Sequence, residues 1–368
     1  MVNGFENGYL NENGIIEVPK IKVKESENEK TITKADILRK LSSGTGLREA
    51  LNDIVVSGMG GLIVISNSNT FNVFKGGFYV NCKFSSKKLF ELAKMDGAII
   101  LSEDFRKILH ANTLLVPSME FESSETGTRH QAAERTAKQI NGLVIAVSER
   151  RGTISIYYGN SRYVLQSTHE LLRRATETLQ ILEKQIEVFN ELITNLNVLE
   201  VTNLVSIADV CTILERLEMI RKMTNIINEY LVELGKDGII LRMRMRELTR
   251  GIEEKEDFII RDYITRPSRV RPFFDSLNFD ELLDLDNIAR VLFARSLDTG
   301  VTPRGYRLLN KTHLAKSEIE SLIKHFKNLD GVFNSDKDAL ERVVKEDAGY
   351  LIKELNTLRE HIMVGKKI

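Results

Sequence analysis

The sequence changes character near Thr168, and this change is the feature that most constrains its fold. After this residue, apolar side chains recur at alternating steps of three and four, at Leu172, Ala175, Leu179, Leu182, Ile186, Phe189, Ile193 and Leu196. This spacing predicts one apolar seam along a single long helix. Such a helix must pack against another helix, either from the same chain or from a neighbouring one.

Helical patterns continue at roughly 206–234 and 241–265, until prolines interrupt them at Pro267, Pro272 and Pro303. Residues 169–300 are therefore predicted to form an all-α helical spine. We expect this spine to be a helix bundle without chemistry of its own.

The region before Thr168 has a different pattern. Short β-rich runs at 62–65, 97–101, 143–147 and 153–158 alternate there with helical stretches at 46–56, 86–95 and 129–140. This alternation predicts an α/β domain over residues 31–168. Residues 1–30 are rich in Asn, Glu, Gly and Lys without a sustained period, and we expect a mobile extension there. Residues 301–368 are expected to form several short helices joined by tight turns.

Composition and motif searches exclude several classes of protein. The 52 Lys and Arg balance 52 Asp and Glu, so the overall charge does not favour non-specific nucleic-acid binding. No run approaches the roughly 18–20 apolar residues that cross a bilayer, and the first residues lack a secretory signal, so a soluble, cytoplasmic protein is expected. Cys82 and Cys211 stand far apart, which favours packing roles over a disulfide or zinc site. Walker-type, HExxH, GxSxG and kinase motifs are absent from the sequence.

Two clusters in the first domain carry residues suited to chemistry. Asp96 immediately precedes Gly97 at the start of a predicted strand, where a carboxylate can hold a metal; a plain turn is the alternative. Thr128, Arg129 and His130 open a predicted helix, where backbone N–H groups, the helix dipole and a guanidinium suit phosphate. In the alternative for this second cluster, Thr128 caps the helix while Arg129 pairs with Glu125 or Glu134.

The segments 91–102, 124–130, 133–135 and 137–139 contain Asp96-Gly97-Ala98 and Thr128-Arg129-His130. Together they resemble the diadenylate cyclase domain of the bacterial DNA integrity scanning proteins. The run 304–309 resembles the family's lead-in to a C-terminal helix-hairpin-helix region, and the seam resembles its helical spine. The resemblance implies an α/β cyclase domain, a mixed sheet flanked by helices, over 31–168. It further implies the all-α spine over 169–300 and a helix-hairpin-helix-like DNA-binding domain over 301–368.

The resemblance also implies an activity: two ATP molecules are condensed to cyclic di-AMP with release of two pyrophosphates. The resemblance implies that Asp96 binds Mg²⁺ or Mn²⁺ and activates the 3′-hydroxyl. ATP would contact Gly97, Ala98, Leu115, Thr128, Arg129, His130, Gln131 and Ala132, with further phosphate contacts from Ser148, Arg150 and Arg151. Because one site cannot make a symmetric product, two domains must face each other, and the family implies a homo-octamer.

The sequence departs from the family pattern at two places. Gln131 and Ala132 stand where members commonly have Arg and Thr, which implies weaker ATP binding. The Gly-Ile-Gly hairpin of the DNA-binding region is replaced by residues 345–349, which include two acids and imply a weaker grip on branched DNA. Four lysines could still contact DNA phosphates or simply form a solvated helix face: Lys311, Lys316, Lys324 and Lys327. These departures leave two alternatives open: a DNA-binding scaffold that binds nucleotide without turnover, and a cyclase that has lost control by DNA.

Overall fold

The structure is a computed structural model that describes residues 33–344 and 348–365. The extension expected over residues 1–30 therefore lies outside the described residues. Along the described chain, no helix combines the length and the apolar composition needed to cross a membrane.

The first part of the chain folds into an eight-stranded sheet with helices on both faces. Its elements are α1 Lys34–Lys40, α2 Gly46–Val56, β1 Gly61–Ile65, a 3₁₀ turn Thr70–Asn72, β2 Phe74–Lys75, β3 Phe78–Lys83, α3 Ser86–Leu92, β4 Ala98–Leu101, β5 Lys107–Leu115, α4 Thr128–Ile140, β6 Leu143–Val147, β7 Ile154–Tyr158 and β8 Ser161–Leu165.

The strand order is β2-β5-β4-β1-β6-β7-β8, and β3 also pairs with β5. The pair β1 and β4 is parallel and the other pairs are antiparallel, so the sheet is mixed. In β1, Ile63 packs into the core beneath α1, α2 and α3, whereas Val64 packs into a second core beneath α4. Because both faces are covered, the central strands are continuous apolar runs. The predicted α/β fold with a mixed, helix-flanked sheet is confirmed.

The second part is helical. Its helices are α5 Thr168–Thr202, α6 Ile207–Leu234, α7 Ile239–Leu248, α8 Ile252–Tyr263, a 3₁₀ turn Pro267–Arg269, α9 Val270–Ser276, α10 Phe279–Leu282 and α11 Leu285–Leu292. The seam predicted on α5 is buried from Ala175 to Phe189 and at Leu196, with Leu172 and Ile193 half-buried beside it. It packs along α6, so the partner helix comes from the same chain.

Two details of the helical prediction are wrong. The helix expected over 241–265 is two helices, because the chain breaks at Gly251, whose φ of +77° lies in the left-handed region that favours glycine. Pro272 does not interrupt a helix. It lies in the first turn of α9, where a missing N–H leaves no helical hydrogen bond unmade. Cys211 is buried in this helical core and Cys82 is half-buried against the sheet core, as packing roles require.

The C-terminal part consists of α12 Tyr306–Leu309, α13 Lys316–Phe326, α14 Leu329–Phe333, α15 Lys337–Glu341 and α16 Ala348–Met363. These short helices share a separate apolar core that includes Leu322, Leu340 and Leu351. The altered hairpin begins at residue 345, and residues 345–347 lie outside the described chain.

A buried ion pair joins the sheet to the helical part. Arg48 of α2 lies with its Nη1 3.6 Å from Oε1 of Glu233, in the last turn of α6, and both side chains are buried. The same carboxylate accepts hydrogen bonds from the Tyr163 hydroxyl at 2.7 Å and from the Gln166 backbone N–H at 3.0 Å. The C-terminal end of α6 is therefore fixed to α2, to β8 and to the residue that follows β8.

A second buried polar cluster joins the spine to the C-terminal helices. Asp262 accepts hydrogen bonds from the backbone N–H groups of Gly305, Tyr306 and Arg307 at the start of α12, at 2.8, 2.6 and 3.0 Å. Arg307 in turn donates to Glu200 Oε2 at 2.6 Å. Burial, with the nearby Glu200 carboxylate, raises the pKa of Asp262 to about 7, although the N–H groups act in the opposite direction. The run 304–309 is thus the joint between the two helical parts.

Candidate active site at one end of the sheet

The candidate residues of three strands meet at one end of the sheet. Ile63 pairs with Ile99 in parallel register, so the chain that precedes β4 lies beside the chain that precedes β1. Asp96 lies exposed in this segment. Since Ala98 pairs antiparallel with Thr113, strand β5 ends at Leu115 at the same edge. Asp96, Gly60 and Leu115 therefore belong to one end of the sheet.

The turn between β6 and β7 reaches the same end, because Val147 pairs with Gly61. The Ser148 hydroxyl accepts from the Arg151 backbone N–H at 3.3 Å, which closes this turn. Arg150 and Arg151 are exposed. The structure thus brings the additional phosphate candidates Ser148, Arg150 and Arg151 to the end of the sheet where Asp96 lies.

Helix α4 begins at this end without a side-chain cap. Its N-cap is Gly127, and no side chain accepts a hydrogen bond from the first turn. Among the described residues, the backbone N–H groups of Thr128, Arg129 and His130 have no acceptor. The alternative in which Thr128 caps the helix is therefore wrong. Three N–H donors and the positive end of the helix dipole remain available to an anion.

The guanidinium of Arg129 lies on the backbone of Gly60. A methyl group built on Gly60 would lie 2.0 Å from Arg129 Nη1 and 2.4 Å from its Cζ, which is far inside contact distance. Glycine is therefore required at position 60 for Arg129 to take this place. Arg129 is half-buried, and its guanidinium has no hydrogen bond or carboxylate partner within the described ranges.

The carboxylates proposed as partners of Arg129 are engaged elsewhere. Glu125 pairs with Arg162 at 2.9 Å, and Glu134 pairs with Lys138 at 2.9 Å. The alternative in which Arg129 pairs with Glu125 or Glu134 is wrong for this reason. The half-buried guanidinium of Arg129 is therefore available to bind an anion.

The loop before α4 is fixed by side chains of that helix. Glu134 Oε2 accepts from the Ser123 hydroxyl at 2.7 Å and from the Ser124 N–H at 3.0 Å. Further side chains of α4 bind backbone groups of residues 118–125, namely Gln131, Arg135, Lys138 and Gln139. Gln131 donates to the Glu125 carbonyl at 2.8 Å. Its side chain is therefore used to hold the loop.

A chain of hydrogen bonds orients His130. The Tyr157 hydroxyl donates to Glu125 Oε1 at 2.7 Å, and its oxygen lies 2.9 Å from His130 Nδ1. Because the only hydroxyl proton is used by Glu125, Nδ1 must donate, which assigns its proton to Nδ1. Burial lowers the pKa of His130; Glu125 opposes this, and Arg162, Arg129 and Arg151 lower it further. The imidazole is thus neutral at pH 7, with Nε2 left as its second polar atom.

The floor of the site is apolar. Ala98, Leu115, Ala132 and Tyr157 belong to one cluster between the sheet and α4, and Leu115 is only 9% exposed. Gly97 has a φ of +93°, and a methyl group there would lie 2.8 Å from the Thr113 carbonyl oxygen. The close approach that Gly97 permits is therefore to strand β5 within its own domain.

The sequence did not single out four residues of this site: Gly60, Glu125, Tyr157 and Arg162. Glu125 was considered only as a partner of Arg129, whereas the structure pairs it with Arg162. Gly60 belongs to the Gly-rich run 57–61, which indicated only a turn into a strand. Tyr157 and Arg162 carry no local signal, since their partners are reached through pairing of β6, β7 and β8.

The candidate DNA contacts lie far from this site. Lys311, Lys316, Lys324 and Lys327 are all exposed, in and around α13. The C-terminal part contacts α5 at Asn197 and Glu200, whereas the sheet joins α5 at Thr168. At 1.5 Å per residue, these two ends of α5 are about 45 Å apart. The structure therefore does not bring the lysines together with the cyclase candidates.

Comparisons with known proteins define the class. Residues 48–162 match the family model described as DisA bacterial checkpoint controller nucleotide-binding, and residues 165–297 match DisA bacterial checkpoint controller linker region. These matches define a checkpoint-controller class of protein, in which a nucleotide-binding domain is followed by a helical linker region.

The full-length relatives then give the particular family. The chain is 42% identical over 351 residues to the DNA integrity scanning protein DisA of Clostridium botulinum (strain Eklund 17B / Type B), covering 92% of this chain and 99% of that protein. It is 37% identical over 343 residues to the protein of the same name from Clostridioides difficile (strain 630), covering 90% and 96%. The chain belongs to the DisA family, as its motifs indicated.

A solved structure is also similar to part of the chain. The crystal structure of a double mutant of DacA from Staphylococcus aureus shares 23% sequence identity, with a TM-score of 0.28. The similarity covers 36% of this chain and 88% of DacA.

Proposed function

We propose that this chain is a diadenylate cyclase that condenses two ATP molecules into cyclic di-AMP and releases two pyrophosphates. Each 3′-hydroxyl attacks the α-phosphorus of the other ATP. The observation that carries the proposal lies at the sheet end where Asp96 is exposed: within the described part of the chain, Arg129 and three N–H groups of α4 have no partner there. In this proposal residues 31–168 form the cyclase domain, 169–300 the spine and 301–368 the DNA-binding domain.

The α4 N-terminus provides the phosphate contacts. Three backbone N–H groups and the helix dipole favour a negative charge at this point. Arg129 adds a planar fork that matches two phosphate oxygens, and Arg151 contributes charge from the adjoining turn. The neutral His130 is oriented by Tyr157 and leaves Nε2 for a phosphate or a reacting proton.

Asp96 is the residue suited to the attacking hydroxyl. Its carboxylate is exposed at the start of β4 and accepts the proton of the 3′-hydroxyl. The described residues contain no group of three His, Cys, Asp or Glu side chains able to hold a metal ion. A single carboxylate nevertheless fits Mg²⁺ or Mn²⁺, because such ions are commonly held by one or two carboxylates together with substrate phosphates. A bound divalent ion would supply charge neutralisation at the triphosphate.

The reaction requires two sites that face each other, so we propose assembly into a homo-octamer with opposed cyclase domains. Exposed apolar side chains near the end of β5 support an interface there. Phe78, Tyr79 and Leu114 are 62%, 70% and 66% exposed, and Phe78 pairs with Ala111 of β5. Large apolar side chains clustered on a surface are typical of subunit contacts.

A product assay tests the cyclase proposal. The purified chain with ATP and Mg²⁺ or Mn²⁺ should release pyrophosphate and cyclic di-AMP in a ratio of two to one. Asp96→Asn should abolish product without changing the oligomer measured by light scattering. Asp53→Asn, at an exposed aspartate of α2, is the matched control and should retain activity. Product from the Asp96→Asn variant, or ATP binding without product in the unaltered chain, would contradict the proposal.

We further propose that the C-terminal helices bind branched DNA through the phosphate backbone. Lys311, Lys316, Lys324 and Lys327 supply exposed cations there. Replacing one lysine that contacts phosphate should reduce the slope of log affinity against log salt by about 0.9. Binding of four-way-junction DNA at low salt is the measurement, with Lys87→Gln on α3 as the control. Absence of binding, with cyclic di-AMP output unchanged by the junction, would instead favour a cyclase without DNA control.

A further inference from the structure

A cavity of about 430 Å³ lies where the spine meets the C-terminal helices. Its walls come from α5, from α8 and from α12 with the residues that follow it. Arg307 of the 304–309 run lines this cavity, as does Asn197. The cavity is far from the cyclase candidates, because it lies at the opposite end of α5.

The cavity has an excess of cations. Lys255 of α8 is half-buried there, and its Nζ donates to Asn190 Oδ1 at 3.1 Å and lies 5.5 Å from the centre of the Phe189 ring. Neither contact provides a negative charge. Burial lowers the pKa of Lys255, and the positive charges of Lys311 and Arg307 lower it further. Lys311 is exposed at the same cavity.

The acidic groups around the cavity do not neutralise these lysines. Glu200 is buried and is shared by Arg307 and Tyr263, which donate to its two oxygens at 2.6 and 2.5 Å. Glu254, the lining carboxylate among the described residues, is exposed to solvent. Arg307 itself is 6% exposed, and its Nε has no hydrogen-bond partner. Lys255 thus has no carboxylate partner among the described residues, and the cavity lining carries more positive than negative charge, which favours an anionic ligand.

The other lining residues of the cavity indicate which chemical groups an anionic ligand would carry besides its negative charge. Ile193, Phe258 and Leu308 form an apolar side, and the amides of Asn190, Asn197 and Asn310 add hydrogen-bonding groups. Cavities of about 300–1,000 Å³ with this mixture hold small organic ligands. A double helix, whose major groove alone is about 12 Å wide, is too large to enter such a cavity and reach Lys255.

We propose that this cavity binds a free nucleoside monophosphate, with the phosphate between Lys255 and Lys311 and the base against Phe258. The ligand would bridge α5, α8 and α12. Binding would therefore stabilise the joint between the spine and the C-terminal helices.

Tryptophan fluorescence can report on this cavity alone, because the unaltered chain contains no tryptophan. Phe258→Trp places a single tryptophan in the cavity wall, and it can be excited at wavelengths where the nine tyrosines do not absorb. Titration of the full-length variant with AMP or GMP should change its emission in a saturable way, and inorganic phosphate should compete. Phe279→Trp, at a partly exposed position of α10, is the control and should not respond.

Lysine variants then test the contacts. In the Phe258→Trp background, Lys255→Gln and Lys311→Gln should each weaken AMP binding about tenfold, as expected for loss of a charge-assisted hydrogen bond. Lys324→Gln, an exposed lysine of α13 outside the cavity, should not. An Arg129→Ala background should leave the signal intact, which separates this site from the proposed cyclase site.

Two results would overturn the proposal. The first is a flat emission titration for Phe258→Trp, provided that its melting temperature matches that of the unaltered chain. Because Phe258→Trp could itself disturb the cavity wall, another test leaves Phe258 unchanged. Calorimetry of the Arg129→Ala variant with AMP should show one binding event, and adding Lys255→Gln to that variant should weaken it. The second is a response to a 5′-phosphorylated oligonucleotide but not to AMP, which would assign the cavity to DNA ends.

Discussion

Gly60→Ala should separate cyclase function from stability. The new methyl group would lie 2.0, 2.4 and 2.7 Å from Nη1, Cζ and Nη2 of Arg129. These atoms are the far end of a flexible side chain, so the guanidinium moves away at little cost in folding free energy. The φ of Gly60 lies outside the left-handed region, and at such positions Gly→Ala commonly stabilises a protein by about 0.4–1 kcal/mol.

The expected loss of function follows from what Arg129 does. A hydrogen bond from a charged donor contributes about 1.5–3 kcal/mol, so its displacement should lower kcat/KM for ATP about ten- to a hundredfold. The melting temperature should stay the same or rise. Gly61→Ala is the matched control, because its methyl group would meet Val147 Cγ2 at 3.5 Å, an ordinary contact.

A double-mutant cycle makes this prediction strict. If Gly60→Ala acts only by displacing Arg129, combining it with Arg129→Ala should cost no more than Arg129→Ala alone. The assay is initial-rate synthesis of cyclic di-AMP at several ATP concentrations, alongside thermal unfolding. Full activity of Gly60→Ala, or additive losses in the double variant, would refute the role given to Arg129.

Four further predictions concern the buried polar groups. Tyr157→Phe removes the acceptor of His130 Nδ1–H, so KM for ATP should rise about tenfold. The pKa of His130 measured by NMR titration should lie below the ordinary value of 6.5. Because the unfolded chain then binds the proton more readily than the folded chain, the free energy of unfolding should decrease as the pH drops below about 6.5. Glu233→Gln leaves the buried Arg48 without its counter-charge and should cost about 3–5 kcal/mol in chemical unfolding. Asp262→Asn weakens the acceptor of three N–H groups and should cost about 1–3 kcal/mol, seen as earlier hydrogen exchange at the start of α12.

The buried elements of the fold could be predicted because the pattern of apolar residues along each element shows which face is buried. Strand β6 is a continuous apolar run since the sheet is covered on both faces, and the seam of α5 has the spacing of a helix that packs along another. Strands β3 and β8 were not predicted. Their residues are largely exposed, and both strands exist because they pair with β5 and β7, which is not visible in their own sequence.

The same distinction applies to the site. Asp96 and the run 128–130 could be singled out because their residue types suit phosphate and metal chemistry at the ends of predicted elements. The choice between a free and a paired Arg129 could not be made from spacing, since Glu125 and Glu134 are both within reach in sequence. It depends on Arg162 and Lys138, which occupy those carboxylates, and on Gly60, which leaves room for the guanidinium.

The two buried joints determine how the ends of the molecule can communicate. Helices α5 and α6 run antiparallel, and each end of this pair is fixed, by Glu233 to the sheet and by Glu200 to α12 through Arg307. A rigid-body movement of the C-terminal helices relative to the sheet, about 45 Å away, would therefore have to move the helix pair or break one of these buried contacts. Because Glu233 binds Tyr163 and Gln166 beside β8, the strand pair β7 and β8 that carries Tyr157 and Arg162 is where such a movement would meet His130.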